Sequence, residues 1–151
     1  MCGYHGDARR ACRCTPPQVA RYRGRLSGPL RDRIDLIVEV EAVPISALTE
    51  GPPGESSAAV RERVLSARIR QGARNRRGGV NAMLRGSELK RHAPLDAPSR
   101  RLLESTADRL QLSARGFHRS IRVARTIADL AASEAVTTQY LAEALQYRFV
   151  E

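Results

Sequence analysis

Arginines at spacings of three and four are the first residues in this sequence that can do chemistry. The stretch "LSARGFHRSIRVARTIADLA", residues 112–131, carries Arg115, Arg119 and Arg122 within an otherwise amphipathic helical pattern. Side chains three and four residues apart lie on one face of a helix, so these guanidinium groups form a stripe. The stripe is either a solvated basic face or a site for an anion such as phosphate, and the periodicity leaves both interpretations open.

A second group of residues has the composition of a metal site. Cys2, Cys12 and Cys14 lie within the first 14 residues, with His5 between them. Thiolate and imidazole ligands together suit tetrahedral zinc, so these four residues are a candidate zinc site. An incomplete site with weak metal affinity is the alternative. An odd number of cysteines is not typical of a secreted disulfide framework and predicts a reducing, cytoplasmic environment.

A third group of candidate residues lies within the stretch "RERVLSARIRQGARNRR", residues 61–77, which has seven arginines and one glutamate. Helical spacing places four of the arginines on one face: Arg63, Arg70, Arg74 and Arg77. This pattern predicts a track along the phosphate backbone of DNA. Because no aromatic side chains are interleaved for base stacking, such binding should not depend on base sequence. A solvated basic face is the alternative.

Composition is compatible with these partners. The 151 residues include 26 basic and 16 acidic ones, which gives a net charge of +10, and Lys90 is the only lysine. Arginine favours bidentate recognition of phosphate and carboxylate, so a nucleic acid, a nucleotide or another acidic partner is predicted. A hydrophobic content of 42% is enough for a buried core. Because the chain has no tryptophan, that core is expected to be aliphatic. No apolar run approaches the length of a membrane span, so no membrane partner is expected.

The segment 1–44 reads as a remnant of an α/β fold with a cysteine-rich insert. Thr15 can cap a helix whose first turn holds Pro16 and Pro17, and Gly28 with Pro29 breaks the helical pattern. Residues 33–43, "RIDLIVEVEAV", then alternate apolar and polar side chains and predict one strand. A lone strand is not stable, so its sheet partners must lie elsewhere.

The rest of the chain is predicted to be helical. Residues 45–56 read as a linker rich in glycine, proline and serine, and residues 57–151 as a bundle of four or five helices. Helices are predicted over 57–76 and around 87–92. Later helices begin after the capping residues Asp96, Ser113 and Thr137. The predicted fold class is therefore mainly α, with an α/β remnant followed by a helical bundle.

Two stretches together resemble the AAA+ ATPases of the magnesium-chelatase and replicative-helicase branch. "LSGPLRDRIDLIVEV", residues 26–40, resembles the arginine-finger helix and the following strand, and residues 112–131 resemble the second-sensor helix. "CGYHGDARRACRC" is similar to the cysteine-bearing insert of magnesium-chelatase-like ATPases of the ComM/YifB kind, which are linked to competence and DNA branch migration. "ALQYR" fits the last helix of that family, so the resemblance covers nearly the whole chain.

The resemblance assigns roles to three arginines. Arg33, in "LRDRID", matches the arginine finger, which a neighbouring subunit delivers to the γ-phosphate of ATP. The alternatives are Arg31 as the finger, or Arg33 as a surface residue paired with Asp32 or Asp35. Arg115 matches the second-sensor arginine. Arg119 shares its helix face and is a candidate auxiliary contact to the ATP phosphates; the alternative for Arg119 and Arg122 is that they are simply solvated. The resemblance leaves open whether Arg115 acts in cis or across the subunit interface.

Parts that an ATPase requires are absent from this sequence. No glycine-rich loop precedes the single lysine, Lys90, and no apolar run ends in Asp-Glu to hold Mg²⁺. The resemblance therefore implies the C-terminal finger and second-sensor segment of a ring-forming ATPase, expected to be a hexamer, that uses ATP and Mg²⁺ to remodel DNA. Such a segment is inactive alone. The alternative is a free-standing basic helical module that binds DNA and has no role in ATP hydrolysis.

Overall fold

A computed structural model describes residues 2–7, 9–40, 42–75 and 79–148. These residues form eight α-helices and one short 3₁₀ turn, which confirms the prediction of a mainly α fold. None of the helices within these ranges is both long enough and apolar enough to cross a membrane. The elements are α1 (Pro16–Arg23), α2 (Gly28–Arg31), α3 (Ile45–Thr49), α4 (Ser57–Arg74), the 3₁₀ turn (Asn81–Met83), α5 (Gly86–His92), α6 (Ala97–Arg109), α7 (Ala114–Leu130) and α8 (Thr138–Gln146).

The chain divides into two compact units. The first unit comprises Met1–Ile34 and Val38–Gly54 and contains α1, α2 and α3. The second unit comprises Asp35–Ile37 and Glu55–Glu151 and contains the five helices α4 to α8.

The hydrophobic core of the second unit is built around α7. This helix packs against α4, α5 and α8, and α6 packs against α8. Its apolar residues recur at helical spacing, so one face of α7 is buried while the other carries arginines. Leucine and alanine dominate this core, as expected for a chain poor in aromatic residues. The buried apolar residues include Leu84, Leu89, Leu103, Ile121, Ala124, Ala128, Leu141, Ala144 and Leu145.

Side-chain caps fix the first turns of the longer helices. Ser113 Oγ accepts a hydrogen bond from the Gly116 amide at 3.1 Å and starts α7. Asp96 Oδ1 accepts one from the Ser99 amide at 2.8 Å and starts α6. Hydrogen bonds from Ser99 hold the pKa of the Asp96 carboxyl below its usual range. Both predicted caps are confirmed; Thr137 stands at the N-cap of α8 as predicted, but its side chain forms no capping hydrogen bond.

The predicted strand over residues 33–43 is wrong for the part of it that the structure describes, which contains no strand. Strand geometry needs a neighbouring strand to accept its hydrogen bonds, and the described residues offer none. Instead, the Ile37 amide donates to the Tyr147 carbonyl at 3.1 Å within the second unit. Val38 and Val40 are exposed in the first unit, although their alternation predicted a buried strand face.

The short helix α3 was not predicted, since it lies in the segment interpreted as a linker, whereas α2 lies in the stretch that resembles the arginine-finger helix. Ser27 caps α2, with its Oγ accepting from the Leu30 amide at 3.4 Å, and Pro29 lies in the first turn of this helix. The predicted break at Gly28 and Pro29 is therefore wrong, because α1 already ends at Arg23 and these two residues begin α2. The helix α3 starts after Pro44.

Candidate functional site

The arginine stripe of α7 begins with an exposed guanidinium. Arg115 is the second residue of α7, two positions after the Ser113 cap, and its side chain is exposed. None of the ion pairs found among the described residues involves Arg115. The first amides of a helix point outward and carry partial positive charge, so a cationic side chain here shares its surroundings with backbone anion donors.

The other two arginines of the stripe are engaged. Arg119 Nη1 donates to Asp35 Oδ1 at 2.8 Å; the arginine side chain is 17% exposed and the aspartate side chain 59%. Arg122 Nε donates to the Leu84 carbonyl at 2.8 Å. Burial lowers the pKa of Arg122, and the charge of Arg119 acts in the same direction. The predicted stripe therefore divides into one open guanidinium and two that are held within the second unit.

The predicted finger residue lies just after α2 in the first unit. The Arg33 amide donates to the Leu30 carbonyl at 2.9 Å, which closes a turn at the end of that helix. The Arg33 side chain is exposed, and so is that of Arg31, the last residue of α2. Asp35, one of the proposed surface partners of Arg33, pairs with Arg119.

A buried ion-pair network in the second unit centres on Asp129, which is fully buried. Arg74 donates two hydrogen bonds to the Asp129 carboxylate, from Nη1 at 2.9 Å and from Nη2 at 2.6 Å. Arg125 Nη2 lies 3.0 Å from the same carboxylate, and Asn81 Nδ2 donates to it at 2.7 Å. Burial raises the pKa of Asp129, but the hydrogen bonds from Arg74 and Asn81 and the arginine charges outweigh burial and hold that pKa below its usual range.

This network was not predicted, although the sequence carries a signal for it. Arg125 and Asp129 follow Ile121 at steps of four, so two charged residues continue an apolar stripe. Arg125 also donates to the carbonyls of Ser133 and Glu134, at 2.5 and 2.6 Å, and thereby satisfies backbone oxygens just past the end of α7. A charged pair four residues apart on an apolar face indicates a buried structural pair.

The arginines predicted to track DNA are mostly paired with carboxylates. Arg63 forms two hydrogen bonds with Glu55, at 2.7 and 2.9 Å, and Arg70 lies 3.1 Å from Glu134. Arg74 is 14% exposed and belongs to the Asp129 network, so its guanidinium faces a protein carboxylate. Arg77 lies outside the described residues. DNA binding by this helix stays a prediction.

The three thiols of the first unit converge. Their Sγ atoms all lie within 4.8 Å of one another, with Cys2 Sγ 3.6 Å from Cys12 Sγ and 3.5 Å from Cys14 Sγ. The Cys2 amide also donates to Cys14 Sγ at 3.3 Å. Hydrogen bonds from the backbone amides of Tyr4 and Arg13 lower the pKa of the Cys2 thiol to about 6. Gly3 and Gly6, with φ of 82° and 81°, turn the chain between Cys2 and Asp7.

His5 does not join the thiols in the described structure. The metal-ligand cluster found there contains the three cysteines, and the His5 side chain is exposed. His5 does line a cavity of about 380 Å³ together with Cys12 and Cys14. The predicted set of four ligands therefore appears as three converging thiols and a histidine nearby.

Comparison with known protein families shows which family the chain belongs to. The family profile "Magnesium chelatase, subunit ChlI C-terminal" matches residues 54–148, and the profile "Magnesium chelatase, subunit ChlI" matches residues 1–48. The chain belongs to the magnesium chelatase ChlI family. The predicted resemblance is confirmed.

Individual members of the magnesium chelatase family match nearly all of the chain. The uncharacterized protein YifB of Escherichia coli (strain K12) is 44% identical over 140 residues, which cover 92% of this chain and 27% of YifB. The competence protein ComM of Haemophilus influenzae is 43% identical over 137 residues, 90% of this chain and 26% of ComM. An uncharacterized protein of Mycobacterium tuberculosis (strain H37Rv) is 37% identical over 139 residues, 91% of this chain and 27% of that protein. The chain spans about a quarter of the length of these curated relatives.

Proposed function

We propose that this chain is the finger and second-sensor segment of an AAA+ ATPase, which couples ATP hydrolysis to the remodelling of DNA in a homo-oligomeric ring. The observation that carries the proposal is the exposed Arg115 guanidinium in the first turn of α7. A guanidinium beside open helix amides is a site where a phosphate is stabilised by charge and by hydrogen bonds together. Membership in the magnesium chelatase family supports this assignment.

Arg115 and Arg119 are the residues that we propose hold ATP phosphates. Arg119 is already paired with Asp35, so a phosphate must compete with one exposed carboxylate for the guanidinium. A triphosphate carries more charge than a single aspartate, and an exposed ion pair contributes at most about 1 kcal/mol. The ion pair with Asp35 thus positions the Arg119 side chain, and phosphate needs to displace only this weak pair to bind the guanidinium.

ATP supplies the phosphoryl group whose transfer releases free energy, and Mg²⁺ neutralises part of its charge. This sequence provides arginines toward the phosphates but neither the glycine-rich loop nor the Asp-Glu pair that such a site needs. Other parts of the assembled ATPase must therefore supply those groups. We propose that this segment on its own does not hydrolyse ATP.

We propose Arg33 as the finger that acts on the nucleotide of a neighbouring subunit. Its exposed side chain follows a hydrogen-bonded turn at the end of α2, so the backbone that presents the guanidinium is fixed by α2. A guanidinium placed against the γ-phosphate offsets charge that develops in the transition state, an effect worth about 10³ to 10⁵ in rate in other phosphoryl-transfer systems.

DNA is the proposed substrate of the ATPase. The relative ComM is named a competence protein, the family that the sequence resembles is linked to DNA branch migration, and the net charge of +10 suits a polyanion. Arg63 and Arg70 are the arginines of the predicted track that we keep as phosphate contacts, because each is paired only with an exposed or half-exposed glutamate. We assign Arg74 to the stability of the helical unit.

A basic helical module that binds DNA without any role in hydrolysis is the second candidate. The charge of α4 favours it, because this one helix carries most of the seven arginines of residues 61–77. The two candidates differ in whether Arg33 and Arg115 affect turnover.

The test uses the whole ring-forming ATPase that carries this segment. Arg33→Ala and Arg115→Ala should each lower ATP turnover at least about tenfold, because each removes a charge from the phosphates, whereas Arg101→Ala on the exposed face of α6 should leave turnover unchanged. Mixing Arg33→Ala subunits with subunits that lack the phosphate-loop lysine should restore part of the activity, since a finger acts in trans. Arg115→Ala should show the same rescue only if this arginine also acts in trans.

A double variant separates the DNA contacts from hydrolysis. Arg63→Ala with Arg70→Ala should weaken DNA binding and reduce its dependence on salt, while hydrolysis without DNA stays unchanged. If Arg33→Ala and Arg115→Ala leave turnover unchanged and only this double variant has an effect, the module that binds DNA alone is the correct function.

A further inference from the structure

The thiol cluster of the first unit has the dimensions of a metal site. Tetrahedral coordination at the usual Zn–S length of about 2.3 Å separates two sulfur ligands by about 3.8 Å. Cys2 Sγ lies 3.6 Å from Cys12 Sγ and 3.5 Å from Cys14 Sγ, and all three atoms lie within 4.8 Å of one another. Two of the three sulfur–sulfur distances are thus close to those of a tetrahedral site.

A disulfide does not account for this arrangement. The S–S bond is about 2.05 Å long, and all three cysteines are free thiols in the structure. Three thiols also leave one cysteine over in any disulfide pairing. A single divalent ion is the simplest group that uses all three sulfurs together.

A backbone donor at the sulfurs strengthens the case. The Cys2 amide donates to Cys14 Sγ at 3.3 Å. A hydrogen bond of this kind holds a metal-bound thiolate in position and offsets part of its negative charge.

We propose that Cys2, Cys12 and Cys14 bind one zinc ion through three thiolates, with the fourth position open toward the cavity that His5 also lines. Thiolates are soft ligands that select zinc over Mg²⁺ or Ca²⁺. Each thiol gives its proton to solvent when the ion binds, so binding releases up to three protons. The proposal does not depend on ATP or on the assignment as an ATPase segment.

Such an ion compensates for a missing core. None of the described residues from 2–7 and 9–34 is buried, so few apolar contacts order this loop and α1. A structural zinc ion replaces those contacts with metal–sulfur bonds and makes the folding of the loop depend on the metal. The cysteine loop therefore orders around the ion.

The test is metal analysis of the full chain purified without chelator. The protein should contain close to one equivalent of zinc, its three thiols should react slowly with a thiol reagent until a chelator is added, and cobalt should produce thiolate-to-metal absorption. Cys2→Ser, Cys12→Ser and Cys14→Ser should each weaken zinc binding by at least about tenfold. Circular dichroism of each variant checks that the helices of the second unit remain folded.

His5→Asn tests the fourth coordination position, since it alters a side chain at the cavity without touching a sulfur. It should leave zinc affinity unchanged; a loss of tenfold or more would overturn the open fourth position. Less than about a tenth of an equivalent of zinc in the wild type, with all three thiols reactive in added zinc, would overturn the site itself. Iron in place of zinc would also overturn the proposal.

Discussion

The two units of this chain bury their side chains very differently. In the second unit Leu103 and Leu141 are completely buried, whereas in the first unit Leu48 and Val40 are 73% and 86% exposed. None of residues 2–7, 9–34, 38–40 and 42–54 is buried. The difference shows that the second unit has a core of its own, while the first unit relies on helix caps, turns and the thiol cluster.

Among the described residues, buried charges occur only in the second unit. In the second unit Arg74, Arg125 and Asp129 form a network whose charges compensate one another. In the first unit Arg31 and Arg33 are exposed. The proposed finger and second-sensor arginines therefore lie at the surface, and the four arginines of α7 include both exposed and buried ones.

The largest expected effect comes from breaking the buried network. Asp129→Asn removes the charge that compensates Arg74 and Arg125, so it should lower the free energy of unfolding of the second unit by about 3–5 kcal/mol. Urea unfolding followed by circular dichroism measures this change. Asp108→Asn, at an exposed position of α6, is the control and should change stability by less than about 0.5 kcal/mol.

Core truncation should affect only the unit that has a core. Leu103→Ala leaves a cavity where the side chain is fully buried and should cost about 2–5 kcal/mol. Leu48→Ala removes the same atoms from an exposed position in the first unit and should cost less than about 0.5 kcal/mol. Equal losses in the two variants, measured by urea unfolding, would contradict the division into a cored and an uncored unit.

Acid should destabilise the second unit through its carboxylates. The pKa values of Asp129 and Asp96 are lower in the folded protein than their ordinary values. Their stabilising contributions are therefore complete above the ordinary aspartate pKa and are lost as the pH falls through the folded values. Asp129, the buried carboxylate, contributes at most about 1.4 kcal/mol per pH unit. Unfolding measured between neutral and acidic pH should show this slope, and Asp129→Asn should remove the Asp129 part of it.

The smallest effect is expected when the second unit is separated from most of the chain. A protein of residues 55–151 loses the Arg119–Asp35 ion pair and the hydrogen bond from Ile37 to Tyr147. These contacts are worth about 1 kcal/mol together, so the fragment should stay helical with slightly lower stability. A random-coil circular dichroism spectrum would show that the second unit needs the first 54 residues. Asp35→Asn in the full chain isolates the ion-pair part.

Local signals predicted much of the second unit. Ser113 and Asp96 begin α7 and α6 as predicted, because a capping side chain and the amides it serves are neighbours in sequence. The convergence of Cys2 with Cys12 and Cys14 was also indicated by the short loop that joins them. The Arg119–Asp35 pair was not predictable in this way, since 84 residues separate its members.

The features that the sequence did not predict depend on contacts between residues that are distant in the chain. The alternation of residues 33–43 is a real strand pattern, but whether a strand forms depends on a partner that the sequence pattern does not specify. Arg74 lies on a basic helical face, and only the tertiary position of Asp129 shows that its charge is buried. A pattern on one element predicts which face is polar; it does not predict what that face meets.

The shared acceptor at Asp129 also constrains how this sequence can vary. Arg74, Asn81 and Arg125 all place their donors on one carboxylate from three separate positions. Loss of the aspartate removes the acceptor that these three side chains share and leaves two arginine charges without their carboxylate, and loss of one arginine leaves the carboxylate with less compensating charge. Substitutions at positions 74, 81, 125 and 129 should therefore co-vary among descendants of this gene. A substitution at one of the four positions should be tolerated only when the others change with it.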